Sequence, residues 1–126
     1  MEIFTDEWAR GWRDELNASD AYHQAAADWE GSVVASVYGN DKAVFLDLTH
    51  GHCTAARVAS ADDLENATYL LSAKEDVWLR LFEGKMDPVF ALMLGQLRLM
   101  RGQLSDLSAH AKGAKELLLT AQRIHG

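Results

Sequence analysis

A chain of 126 residues, nearly half of them hydrophobic and a quarter charged, has the size and composition of one folded domain with its own core, not of a disordered segment. Its 19 acidic against 12 basic residues leave a formal charge of −7, which repels phosphate backbones and argues against a nucleic-acid partner. Cys53 is the only cysteine, so no intrachain disulfide can form, and no apolar run is long enough to span a bilayer.

The opening residues mix Asp6, Glu7, Arg10, Arg13, Asp14 and Glu15 among apolar positions and lack the pattern of a signal peptide. The expectation is a cytoplasmic domain that begins near Met1. Thr5 caps a first helix whose opening turn carries Asp6 and Glu7 at the positive end of the helix dipole. Phe4, Trp8, Trp12 and Leu16 recur every fourth residue as its core-facing stripe, with the two tryptophans as anchors. Ser19 caps a second, short helix over residues 20–27, whose alanines permit close packing.

Residues 32–38, rich in valine, read as a strand, and Gly39-Asn40-Asp41 turns it into a partner over residues 43–49. Val44, Leu46 and Leu48 alternate there with Ala43, Phe45 and Asp47, and His50-Gly51 leads into a third strand over residues 53–58. The three form an antiparallel meander. Residues 59–66 read as a polar loop and 67–71 as a fourth strand with Tyr69 and Leu71 on one face.

Ser72 and Glu75 have the spacing of a capping box, which predicts a helix with Val77, Trp78, Leu81 and Phe82 on one side and Gly84 at its end. Asp87-Pro88 starts another helix. In it Val89, Phe90, Met93 and Leu94 repeat the preceding pattern as a wide apolar face, until Gly95 breaks it. Residues 97–101 alternate as a short fifth strand before Gly102. A long terminal helix follows, its stripe formed by Leu107, Ala111, Ala114, Leu118 and Ala121 and flanked by Leu117 and Ile124.

The segment from Val77 to Leu99 resembles the signature of sterol-carrier-protein-2-like domains, a lipid-binding family. The matching positions are Gly84, Asp87, Ala91, Met93, Gly95, Leu97 and Gly102; Gln96 stands where the family has a lysine. The order of predicted elements agrees along nearly the whole chain. The resemblance implies an α/β domain of the α+β type. Its five-stranded, mainly antiparallel sheet would be covered on one face by helices, with an apolar tunnel between the layers. It further implies a non-catalytic role: binding and transfer of a fatty acid, acyl-CoA, phospholipid or sterol-like ligand. The partner is then a hydrophobic small molecule, with at most transient membrane-surface contact, and the chain a monomer or weak homodimer.

Trp78, Leu81, Phe82, Phe90 and Met93 from the two short helices fit the wall of such a tunnel. So do Leu97 and Leu99 of the fifth strand and Leu107, Leu117 and Leu118 of the terminal helix. By periodicity alone these ten residues fit an ordinary core equally well. Arg80, Lys85, Arg98 and Arg101 stand nearby in sequence, either to receive a head group or carboxylate or to keep an edge strand soluble.

No nucleophile elbow, phosphate-binding loop, dinucleotide glycine pattern or His-Glu-x-x-His helix occurs. His50, His52 and Cys53 are good metal ligands, but no fourth ligand has recognisable spacing, so neither metal nor cofactor is expected. His23, His110 and His125 fall on predicted helices without partner motifs. Asp47 with His52, or Glu83 with Asp87, are the acid–base pairs that folding can assemble. The first pair, near strands two and three, defines one alternative, an accessory or catalytic domain acting on acyl thioesters. The other is an interaction module whose apolar helix faces bury a partner protein.

Overall fold

The computed structural model describes residues 2–124; His125, placed by the sequence on the last helix, lies outside them. Thr5 caps α1 (Asp6–Asn17), its hydroxyl accepting the Trp8 N–H at 3.2 Å, and the helix turns Trp8, Trp12 and Leu16 inward. Ser19 likewise caps α2 (Asp20–Ala25), which stops short of the predicted end because Ala26 leaves helical backbone and lets Trp29 enter the core. The meander follows as β1 (Glu30–Val37), β2 (Ala43–Thr49) and β3 (His52–Val58).

The predicted loop at 59–66 contains a helix, α3 (Ala61–Asn66). Ser60 and Asp63 close a capping box there, with Asp where Glu or Gln is usual. The fourth strand, β4 (Tyr69–Ala73), lies two residues later than predicted. Ser72 therefore pairs with Ser36 and Arg98 within the sheet, and Lys74 takes the N-cap of α4 (Glu75–Phe82) with no side-chain bond. Strand pairing has displaced the cap. Asp87 and Pro88 start α5 (Pro88–Met93) as expected, and β5 (Arg98–Arg101) follows. The single terminal helix is in fact two, α6 (Leu104–Ala109) and α7 (Ala111–Thr120), with a 3-10 helix at Ala121–Arg123. The break is His110, which leaves helical backbone and stacks its ring on Trp29 with centroids 5.6 Å apart.

The sheet order is β3-β2-β1-β4-β5, with β1 and β4 parallel and the other pairs antiparallel. Its inner face presents Val33, Ala35, Val37, Val44, Leu46, Leu48 and Tyr69 to one large core shared with α1, α4 and α7. On the other face Val34, Ala43, Phe45 and Ala67 form a small cluster. Arg57 lies 4.3 Å above the Phe45 ring and makes a two-pronged ion pair, at 2.8 and 3.0 Å, with Asp63 of α3.

In the main core Phe4, Trp8 and Trp12 pack on Phe82 at centroid distances of 5.6 to 6.4 Å. The Trp12 indole N–H donates to the Leu117 carbonyl at 3.0 Å and to the Thr120 hydroxyl at 3.2 Å, fastening α1 to α7. Trp12→Ala is expected to cost about 3–5 kcal/mol in urea unfolding. Thr120→Val, which keeps the shape but removes one of two acceptors, should cost only about 1 kcal/mol.

Hydrogen bonds from Arg57 hold the Asp63 carboxyl below its usual range, against the opposing effect of burial. Its folded value lies below the unfolded one. The stabilisation is therefore complete above the ordinary carboxylate value of about 3.9 and is lost as pH falls through the folded value. Asp63→Asn should lower the urea midpoint at neutral pH, and its deficit against wild type should shrink steadily on acidification.

Candidate functional site

Between the sheet and the helices lies an apolar cavity. Val33 and Ala35 of β1 and Leu71 of β4 form its floor. Trp12, Trp29 and Trp78 stand at its sides, with Leu97 at the entry to β5. Pro88, Val89 and Leu92 of α5 and Leu107, Ala114, Leu117 and Leu118 of the last two helices close the rest. Each indole N–H is engaged elsewhere: Trp12 as above, Trp29 on the Tyr69 hydroxyl at 3.4 Å, and Trp78 on the Ser36 carbonyl at 2.8 Å. The tryptophans thus offer hydrocarbon to the interior, and such a space stays dry. Its volume is about 40 Å³. Ligand sites usually offer about 300–1,000 Å³, so an occupant has to move a wall.

One wall, α5, is short and partly exposed. Its inner side buries Pro88 and Ala91, while Phe90 and Met93 are 56% and 75% exposed. Gly84 and Gly95, both in the left-handed region with φ of 74° and 75°, cap the helices on either side of its two connections. At the first, the Gly84 and Lys85 N–H groups bond back to Leu81 and Arg80; at the second, Gly95 and Gln96 bond to Leu92 and Ala91. The six residues of α5 are therefore hung between two glycine stops.

Five of the ten predicted lining residues, Trp78, Leu97, Leu107, Leu117 and Leu118, meet at this cavity. Leu81 lines a small neighbouring hollow of about 70 Å³ that shares Pro88 and Leu118 with it. Phe82 is buried in the aromatic cluster, and Leu99 is half-buried against the core. Phe90 and Met93 point to solvent, because α5 turns Pro88 and Ala91 inward and so rotates Phe90, Met93 and Leu94 of the expected face outward while Val89 stays on the cavity. The sequence reading missed Trp12, Trp29 and the β1 pair Val33 and Ala35 as lining residues. The i, i+2 spacing of that pair was the available signal.

The titratable groups are dispersed. Burial pushes the Cys53 thiol up to about 11, which keeps it protonated at neutral pH. His50 bonds the Ala27 carbonyl and lies 3.4 Å from Glu30, whereas His52 packs on His23 with ring centroids 4.5 Å apart. Glu83 pairs with Lys85, and Asp87 caps α5. Of the four cations near the signature segment, Arg80 pairs with Asp76 and Arg101 bonds the Ala67 carbonyl.

A mainly antiparallel sheet backed by helices, with an apolar cavity between the sheet and the helices, defines the sterol-carrier type of α+β domain. Residues 13–114 match the SCP-2 sterol transfer family, and the chain belongs to it. A crystal structure of a sterol carrier protein 2 is 35% identical, with a TM-score of 0.87, 98% of this chain and 100% of that one being covered. The solution structure of a conserved hypothetical protein from Thermus thermophilus, possibly a sterol carrier protein, is 36% identical, with a TM-score of 0.86 over 100% of this chain and 92% of that one. The Aedes aegypti sterol carrier protein 2, solved in complex with palmitate, shares the fold at 15% identity and a TM-score of 0.60, over 95% of this chain and 98% of that one. Comparison with curated protein sequences returns no match.

The two glycine stops make different demands. A Cβ on Gly95 meets nothing within 4 Å, whereas one on Gly84 lies 2.9 Å from Leu119. Gly95→Ala should cost about 1–2 kcal/mol from its backbone alone. Gly84→Ala should cost more, and comparison of the two melting temperatures checks the order.

Proposed function

We propose that the chain binds one hydrophobic ligand, a fatty acyl or sterol-like lipid, and carries it shielded from water without performing a chemical step. The supporting observation is a cavity walled entirely by apolar and aromatic side chains whose polar atoms are all engaged outside it. Each ligand methylene buried there is worth about 0.8 kcal/mol, so a long chain binds without a charged anchor and specificity is loose. Membership of a sterol transfer family supports the same reading. Acyl-CoA and phospholipid are further members of the proposed ligand class, carried as a monomer or weak homodimer in the cytoplasm. No helix among the described residues is long and apolar enough to cross a membrane. Contact with a membrane surface is proposed as transient.

Native mass spectrometry of freshly purified protein, followed by solvent extraction, should find a near-stoichiometric lipid. Leu92→Trp, which places an indole in the cavity, should weaken uptake of a fluorescent fatty acid at least about tenfold, the equivalent of roughly two lost methylenes. Protein that purifies empty and takes up no fatty acid at micromolar concentration would overturn carriage.

A further inference from the structure

A second hollow, a groove of about 480 Å³, opens where β1 and β4 end and α4 and β5 begin. It differs from the cavity in chemistry. Tyr38, Ser72 and Gln96 offer hydroxyl and amide groups, and Lys74, Arg80 and Arg98 offer three cations against the single carboxylate of Asp76. That carboxylate is already paired with Arg80 at 3.1 Å. Among the described residues neither Lys74 nor Arg98 is in an ion pair; the Arg98 guanidinium stands 6.0 Å over the Tyr38 ring. On a chain of charge −7, this is a local reversal of sign at a concave surface.

Groove and cavity are separated by little. The chain neighbours Val77 and Trp78 line one each, as do Gln96 and Leu97. Gly95, one of the two glycine stops flanking α5, is itself a groove residue, so a displacement of α5 that enlarged the cavity would also alter the partition between the two. Lys85 and Arg101 line neither hollow.

We propose that this groove receives the phosphate-bearing head group of a lipid whose chain occupies the cavity. The inference rests on the carrier reading and narrows its ligand class. A guanidinium and an ammonium that lack carboxylate partners are free to bond phosphate oxygens, while the hydroxyl and amide groups suit an ester substituent. The groove also has more room than a bare carboxylate requires.

The test compares two probes of equal chain length, oleoyl lysophosphatidic acid and mono-oleoylglycerol, on wild type, the double variant Lys74→Gln/Arg98→Gln, and Gln96→Glu. All three altered side chains are exposed, and matching thermal melts confirm that the variants fold. Wild type should bind the phosphate lipid about tenfold or more tightly than the uncharged one. Both variants should lose most of that preference, and the double variant should bind mono-oleoylglycerol unchanged. Equal affinities in wild type, or a preference that survives in the variants, would overturn the head-group site while leaving carriage intact. If neither lipid binds, carriage falls and the head-group site falls with it. Inorganic phosphate alone, titrated against the amide resonances of residues 72–77, should bind far more weakly than the lipid. Equal affinity would mark a free-phosphate site and overturn the link to the cavity.

Discussion

The hydrogen bonds from the Trp12 indole to the Leu117 carbonyl and the Thr120 hydroxyl hold the architecture together. They join the first helix to the last across the inner face of the sheet. They also set the indole plane, with one part packed on Trp8 and Phe82 and another forming a side of the cavity. The same bonds occupy the polar atom of that ring, so the cavity wall stays hydrocarbon. Trp29 and Trp78 repeat the device from other elements. Three aromatic anchors thus join the elements of the core and leave its interior apolar at once.

Within that frame α5 has no such anchor. It is short, buries only its inner side, and is bounded by two residues in left-handed backbone. An apolar cavity of about 40 Å³ offers water no polar partner, and displacement of a wall is the physical condition for admitting anything larger. The carrier function proposed for the chain requires such a displacement, and α5 is a short, partly exposed element that lines the cavity.

Much of this was legible in the sequence, and the failures have definite causes. The Thr5 and Asp87 caps, the Phe4 to Leu16 stripe and the β2 alternation involve local signals that tertiary structure did not overrule. The Ser72 cap failed because the same residue is needed in the sheet, a competition that only the pairing of β4 with β1 and β5 decides. The helix break at His110 comes from a stack with Trp29, which lies far earlier in the chain and beyond the reach of any periodicity. Phe90 and Met93 show the limit for the site. An apolar face can be counted from spacing, but the direction in which a six-residue helix turns it is set by its neighbours.

The parallel pairing of β1 with β4 has a consequence for how the molecule is assembled. Val33 must find Tyr69 across an entire hairpin and a helix, and Trp12 must find Leu117 across 105 positions. During synthesis the meander can zip up early from neighbouring segments. The indoles of α1 can pack on Phe82 once α4 has been made, but the Trp12 N–H finds its acceptors only when α7 follows. A nascent chain therefore carries a core indole with its polar atom unpaired through most of its production, and sealing that side of the core waits for α7.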